Sequence, residues 1–344
     1  VYHTQINDVL LTALVQSFER WTGERALLLD LEGHGREELF AEVDLSRTVG
    51  WFTTLFPVCL GLQAEEPGEA LKAVKEQLRA IPHRGIGYGV LRYLHPDPEV
   101  RAALQALPQA QVSFNYLGQL DAMLSEGSLL RPAQEGSGPP HSPRGQRPHL
   151  LDINGFVAGG RLQLQWTYST RVHRRATVEH LAHGFLEALQ ALIAHCQSPE
   201  AGDCTPSDFP EVRLNQEQLE GILERVASEN KAHSIHPKKD IEAIYPLSPS
   251  QQGMLIETLS APRSGIHVEQ SVLRLDSDFD LKAFTQAWQQ VMERHPVLRT
   301  AFVWEDLEEP LQTVLRRVKL PLKRQDWRSL APSQQRERLE HYLD

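Results

Sequence analysis

Residues 26–37 read Ala-Leu-Leu-Leu-Asp-Leu-Glu-Gly-His-Gly-Arg-Glu, an apolar run that passes directly into a charged segment with two glycines. Residues 26–31 are too few and too continuously apolar for a surface helix, so they predict a buried β-strand. The glycines permit tight backbone paths after it. Charged side chains can then converge on one pocket, with Glu32 a candidate for proton transfer and Arg36 its charge partner. The alternative is a loop whose charges simply face water.

Helical and strand patterns surround this segment. Apolar residues at helical spacing predict a first set of helices: 8–21, about 68–80, about 98–106 and about 178–196. A strand is expected near residues 112–116. Residues 150–169 predict a β-hairpin, because Gly159 and Gly160 can supply a two-residue turn between alternating segments.

Two segments are typical of loops or linkers. Residues 125–149 are rich in Gly, Pro and Ser, and we expect a surface excursion there. Residues 226–241 carry almost no large apolar side chain and are the better linker candidate. The pattern then restarts, with a helix from Ser248, a helix at about 280–293, and strands near 268–275, 298–304 and 311–318.

Length and composition limit the possible functions. The 344 residues suggest two domains, since a domain averages about 150 residues. A net charge of −10 argues against a nucleic-acid binder, which needs a basic face. No apolar run approaches the roughly 20 residues of a membrane helix, and residues 1–5 lack the features of a secretory signal. Three scattered cysteines do not suggest a disulfide framework, and we expect a cytoplasmic protein.

Further candidate residues lie in two glycine-containing segments. Residues 47–53 place Trp51 and Phe52 between glycine and hydroxyl side chains, which suits a cleft wall, although large aromatics more commonly lie in a core. Residues 85–89 read Gly-Ile-Gly-Tyr-Gly, but the spacing and the preceding helical pattern do not fit a dinucleotide-binding loop.

Asn115 and Tyr116 lie at the end of the predicted strand that begins at residue 112. They could aim an amide and a phenol into the same cleft as Glu32. Equally, Tyr116 could pack in the core while Asn115 satisfies backbone groups. His180 and His183 have helical spacing, but without a third ligand a solvated pair is expected rather than a metal site.

Together these segments resemble the epimerization domain of nonribosomal peptide synthetases, and they occur in that family's order. The resemblance covers roughly residues 1–215. The similar segments are residues 7–13 (NDVLLTA), 32–37 (EGHGRE), 47–57 (RTVGWFTxxxP), 82–89 (PxxGxGYG) and 114–121 (FNYLGQxD).

The rest of the chain resembles the start of a condensation domain of the same synthetases. Residues 241–255 (IEAIYPLSPSQQGML) and 294–302 (RHPVLRTAF) carry this likeness. The resemblance implies a first domain over 1–225, a linker over 226–241 and a second domain over 242–344. It implies an α/β fold, a layered sandwich with lobes like those of chloramphenicol acetyltransferase. It also implies a condensation domain that accepts a D-configured donor.

Both domain types use an HHxxxD motif in their N-terminal lobe, and no His-His pair occurs in this sequence. By resemblance, we expect the chain to hold the C-terminal lobe of one domain and the beginning of the next. We therefore expect these 344 residues to be inactive in isolation.

The implied reaction inverts the α-carbon of an aminoacyl or peptidyl thioester, delivered on the phosphopantetheine arm of a carrier domain outside this chain. No directly bound cofactor, metal, nucleic acid or membrane is expected; the expected partners are carrier, adenylation and condensation domains. By resemblance, the catalytic candidates are Glu32, Arg36, Asn115 and Tyr116, and the substrate-cleft candidates are His34, Arg47, Trp51, Gly87 and Tyr88. The alternatives are a carrier-docking lobe without catalysis and a region that serves peptide-bond formation only.

Overall fold

The computed structural model describes residues 1–123, 138, 142, 145–199, 201–229, 240–262, 264–275 and 279–343. They form two compact units, Val1–Asp208 and Phe209–Asp344. Most of the predicted excursion at 125–149, and residues 230–239 of the predicted linker, lie outside the described residues. The linker's first residues, 226–229, continue a helix. The predicted domain bounds at 225 and 242 stay predictions.

The first unit alternates helices and strands, as its pattern predicts. Its helices are α1 (Ile6–Thr22), α2 (Pro67–Arg79), α3 (Pro98–Gln105) and α4 (Arg175–Gln197). Its strands are β1 (Ala26–Gly33), β2 (Thr54–Gly61), β3 (Val112–Gln119), β4 (Leu151–Ala158) and β5 (Arg161–Tyr168). Short helical turns cover Pro82–Gly85, Gly87–Gly89 and Val90–Leu94.

The strands form one mixed sheet in the order β2-β1-β3-β4-β5. The inner pairs β1–β3 and β3–β4 are parallel, whereas β1–β2 and β4–β5 are antiparallel. One face packs against α1, α2 and α4 and contributes side chains such as Leu29, Phe114 and Ile153 to the hydrophobic core. Because side chains alternate along a strand, the intervening polar residues share the opposite face.

Glycine at left-handed backbone positions fixes the turn that the sequence predicts between β4 and β5. Gly159 and Gly160 have φ values of 61° and 67°, as a two-residue turn of this type requires. The hairpin then pairs without interruption from Ala158↔Arg161 to Leu151↔Tyr168. The predicted hairpin is therefore confirmed.

The second unit holds four helices and three strands among the described residues. They are α5 (Gln216–Glu229), β6 (Ile241–Pro246), α6 (Pro249–Ser260), α7 (Leu281–Arg294), β7 (Thr300–Val303), β8 (Leu311–Leu315) and α8 (Pro332–Leu343). The sheet is antiparallel in the order β6-β8-β7. The Ser248 side chain caps α6, as expected of a serine directly before a helix.

Two sequence expectations are wrong. Residues 268–275 form no strand: they pair with no neighbour in the described sheet, and Leu273 is 84% exposed. Trp51 is not a core residue, because its side chain is 92% exposed in the loop before β2, while Phe52 is half-buried. Four further elements, β2, β6, α5 and α8, were not predicted from the sequence pattern.

Across the described residues, no helix is both long and apolar enough for a transmembrane span.

Candidate functional site

Polar side chains line the face of the five-stranded sheet that the helices leave open. The register places Asp30 beside Ser113, and Ser113 beside Asp152, which we call the inner row. One step along the same face, Glu32 contacts Asn115, and Asn115 pairs with Asn154, which we call the end row. Two rows of polar groups thus cross β1, β3 and β4 side by side.

The Glu32 carboxyl is held by an amide from the neighbouring parallel strand. Asn115 Nδ2 donates a hydrogen bond to Glu32 Oε2 at 2.6 Å. Partial burial raises the pKa of Glu32 above its usual value, the Asn115 hydrogen bond opposes this rise, the charge of Asp152 adds to it, and His149 opposes it. The side chain still reaches solvent, so the site offers an accessible carboxyl that binds its proton more tightly than a free glutamate.

Arg36 holds the segment after β1 together. Its Nη1 donates to the Leu45 carbonyl at 2.9 Å, and its guanidinium carbon lies 4.4 Å from the centre of the Phe52 ring. The Arg36 backbone N–H donates to His34 Nδ1 at 3.0 Å. The structure thus places Arg36 against a backbone carbonyl and an aromatic ring, and its role as charge partner of Glu32 stays a prediction.

The other predicted site residues take varied positions. Tyr116 packs against the hydrophobic core, one of the two arrangements its sequence position allowed. His34 is exposed, with its Nε2 3.3 Å from Glu37 Oε1. Arg47 and Trp51 are exposed in the loop before β2. The structure therefore brings Asn115 to Glu32, and the roles of the remaining residues stay predictions.

A cavity of about 580 Å³ lies beside the inner row. Asp30 and His149 line it on one side, and Tyr88 and Arg92 line it from the short turns before α3. The Tyr88 hydroxyl accepts a hydrogen bond of 2.6 Å from Arg92 Nη1. Gly87 begins the turn that carries Tyr88, and a Cβ there would meet no atom within 4 Å.

Sequence patterns did not single out the groups of the inner row. His149 Nε2 lies 2.7 Å from Asp30 Oδ2, and its Nδ1 lies 3.4 Å from Asp152 Oδ1. Ser113 Oγ donates to Asp152 Oδ1 at 2.8 Å, and Arg147 contacts the other oxygen of the same carboxylate. Alternation along β1 does place Asp30 on the face of Glu32, but the register across β3 and β4 is needed to join the other residues.

Potential metal ligands meet away from this face, at His3, Cys204 and Asp208. Lys75 Nζ lies 2.6 Å from Asp208 Oδ1, so an ammonium group already neutralises that carboxylate. We assign no metal there. His180 and His183 are both exposed on α4, as the sequence predicts.

A family model for the condensation domain matches residues 1–214 and 241–344. The chain belongs to the condensation-domain family. Among similar proteins, this condensation-family chain resembles two of the subunits of linear gramicidin synthase from Brevibacillus parabrevis, with 48% identity over 343 residues to one and 45% over 346 residues to the other. These alignments cover 99% and 100% of the chain but only 4% and 6% of the relatives.

A solved structure gives the same assignment. The epimerization domain from the third module of tyrocidine synthetase B aligns with a TM-score of 0.51 and 36% identity, covering 56% of this chain and 43% of that one. The chain is thus a condensation/epimerization-type region of a nonribosomal peptide synthetase, as its motifs predict. Its mixed α/β architecture is confirmed as the fold of this superfamily.

Proposed function

We propose that the first unit takes part in epimerization, the inversion of the α-carbon of a carrier-bound aminoacyl or peptidyl thioester. The observation that carries the proposal is the Glu32 carboxyl, exposed at a strand end, hydrogen-bonded by Asn115 and raised in pKa by partial burial. Similarity to a solved epimerization domain supports it.

The chemistry requires a proton to leave one face of the α-carbon and another to arrive on the opposite face. The Glu32 carboxylate takes the α-proton, the C–H electron pair moves into the thioester carbonyl, and an enolate forms. A second acid on the opposite face then returns a proton to the α-carbon, and Glu32 releases its proton to solvent. A raised pKa makes Glu32 a stronger base for this weakly acidic C–H.

We propose that the chain works within a synthetase like its relatives, alongside carrier, adenylation and condensation domains. The phosphopantetheine arm of a carrier would bring the thioester, so the chain itself needs no bound cofactor. The segment from residue 241 onward, which also matches the family model, would begin the domain that forms the next peptide bond. Three free thiols, Cys59, Cys196 and Cys204, fit a reducing cytoplasmic setting.

Glu32→Gln tests this proposal in a synthetase module that contains the region and carries an L-aminoacyl thioester. The amide keeps the shape but cannot accept the α-proton, so we expect the rate of L-to-D conversion to fall by about 100-fold or more. Chiral chromatography of the released amino acid measures it. Glu38→Gln, the same charge change on an exposed side chain six residues along, is the matched control and is expected to keep the rate.

The family model also favours a second candidate, a region that serves peptide-bond formation only. A module that forms the peptide bond but yields only L-configured product, before and after Glu32→Gln, would support that candidate and contradict epimerization.

A further inference from the structure

We propose that His149 is a positioning residue for Glu32: held between Asp30 and Asp152 on the same sheet face, it sets the electrostatic field in which Glu32 gains and loses its proton. The purpose of this arrangement rests on the proposed function of Glu32. The arrangement itself is a property of the sheet and is tested without any turnover.

The His149 ring is fixed on both of its nitrogen atoms. Nε2 lies 2.7 Å from Asp30 Oδ2, and Nδ1 lies 3.4 Å from Asp152 Oδ1. The side chain is only 8% exposed, whereas those of Asp30 and Asp152 are 19% and 27% exposed. A buried ring between two carboxylates has little freedom to turn, so its charge stays at a constant place relative to the end row.

The donor inventory indicates which form of the ring suits this place. A neutral imidazole has one N–H donor and one acceptor nitrogen, whereas the imidazolium has two donors. Carboxylates face both nitrogens here, so only the imidazolium donates toward each of them. The inner row then holds two negative carboxylates, Asp30 and Asp152, balanced by two cations, His149 and Arg147.

Glu32 lies one step along the same face, because residues 30 and 32 of β1 point to the same side, about 7 Å apart along the strand. At that separation the inner-row charges act on it with opposite signs: His149 lowers the pKa of Glu32 and Asp152 raises it. The remaining groups around the inner row are Ser113, which donates to Asp152, and the cavity side chains Tyr88 and Arg92, which bond each other.

Two substitutions with opposite expected effects test this. His149→Gln removes the cation but keeps a polar side chain, so we expect the pKa of Glu32 to rise by about 0.5. Asp152→Asn removes an anion and keeps nearly the same shape, so we expect it to fall by a similar amount. A loss of packing alone would not move the two values in opposite directions.

The measurement is the carboxyl ¹³C shift of Glu32 against pH in the full chain with labelled glutamate, assigned by the signal lost in Glu32→Gln. Glu179→Gln, an exposed charge change on α4, is the control and is expected to leave the pKa of Glu32 unchanged. If His149→Gln fails to fold, Asp152→Asn still decides the matter. An unchanged pKa in the folded variants, or shifts of the same sign, would overturn the inference. Neither result bears on whether Glu32→Gln abolishes epimerization.

Discussion

At the scale of single residues, the contact between Asn115 and Glu32 is the feature that the sequence came closest to predicting. The motifs placed both side chains at strand ends, and the structure joins them at 2.6 Å. The sequence did not predict His149, because its partners Asp30 and Asp152 lie on different strands, and only the register brings them together. Trp51 was wrong for the opposite reason: an aromatic side chain favours burial on average, but its side chain stays exposed in this loop.

Gly35 tests how tightly the segment after β1 is folded. Its φ is +65°, and a Cβ there would lie 1.6 Å from the Phe52 carbonyl oxygen. Gly35→Ala must therefore displace backbone, and we expect it to lower the free energy of unfolding by more than about 1 kcal/mol. Urea unfolding measures the change.

Gly89→Ala is the matched control for that substitution. Gly89 has helical angles, and a Cβ added there would meet no atom within 4 Å, so alanine is expected to be neutral or slightly stabilising. Equal effects of the two substitutions would contradict this account of Gly35.

At the scale of elements, the helix pair α1 and α2 depends on an ion pair that the core encloses on one side. Asp8 is 1% exposed and receives two hydrogen bonds from Arg79, at 3.1 and 2.7 Å, while Arg79 is 29% exposed. Arg79→Met leaves a buried carboxylate without its cation, and we expect a loss of about 3–5 kcal/mol in unfolding free energy.

Asp8→Asn in the Arg79→Met background provides the check. Removing the buried charge is expected to restore part of the lost stability, as measured by denaturant titration. A double variant that is no more stable than Arg79→Met would show that the ion pair is not the cause.

The β4–β5 hairpin has a pH-dependent clamp. The two carboxylate oxygens of Asp121 accept hydrogen bonds from the backbone N–H groups of Gly159 and Gly160, at 2.7 and 2.9 Å, and these bonds hold the pKa of Asp121 below its usual value. A carboxylate with a lowered folded-state pKa stabilises the fold above its unfolded pKa, and this stabilisation is lost as the pH falls through the folded value.

Asp121→Asn is therefore expected to be less stable than the wild type at pH 7, with the gap narrowing as the pH falls below about 4. Thermal unfolding followed across this pH range measures the gap. A gap that stays constant with pH would contradict an ionic role for Asp121.

Elements with a strong local signal were predictable, and those that depend on partners were not. The β4–β5 hairpin has its turn glycines in the sequence, and α1 has a continuous apolar stripe that ends before Gly23 at φ 78°. By contrast, residues 268–275 carry apolar side chains but have no neighbouring strand among the described residues. β6 was missed because its six residues are too few for a periodic signal.

At the scale of the whole molecule, the order of motifs carried more information than any one of them. A hexapeptide such as residues 32–37 has a bland interpretation when seen alone, whereas the full series in register predicts the family that the condensation-domain match confirms. The chain spans only 4–6% of the gramicidin synthase subunits it resembles, so its partners and the activity of the whole synthetase belong to the proposal.

The most direct test of the proposed chemistry is deuterium incorporation at the α-carbon. A module that contains this region, loaded with an L-aminoacyl thioester in D₂O, should release D-configured residue with deuterium at the α-carbon, detected by mass spectrometry after chiral separation. Glu32→Gln should release residue that remains L and unlabelled. Deuterium incorporation that persists at the wild-type rate in Glu32→Gln would contradict the assignment of Glu32 as the group that moves the α-proton.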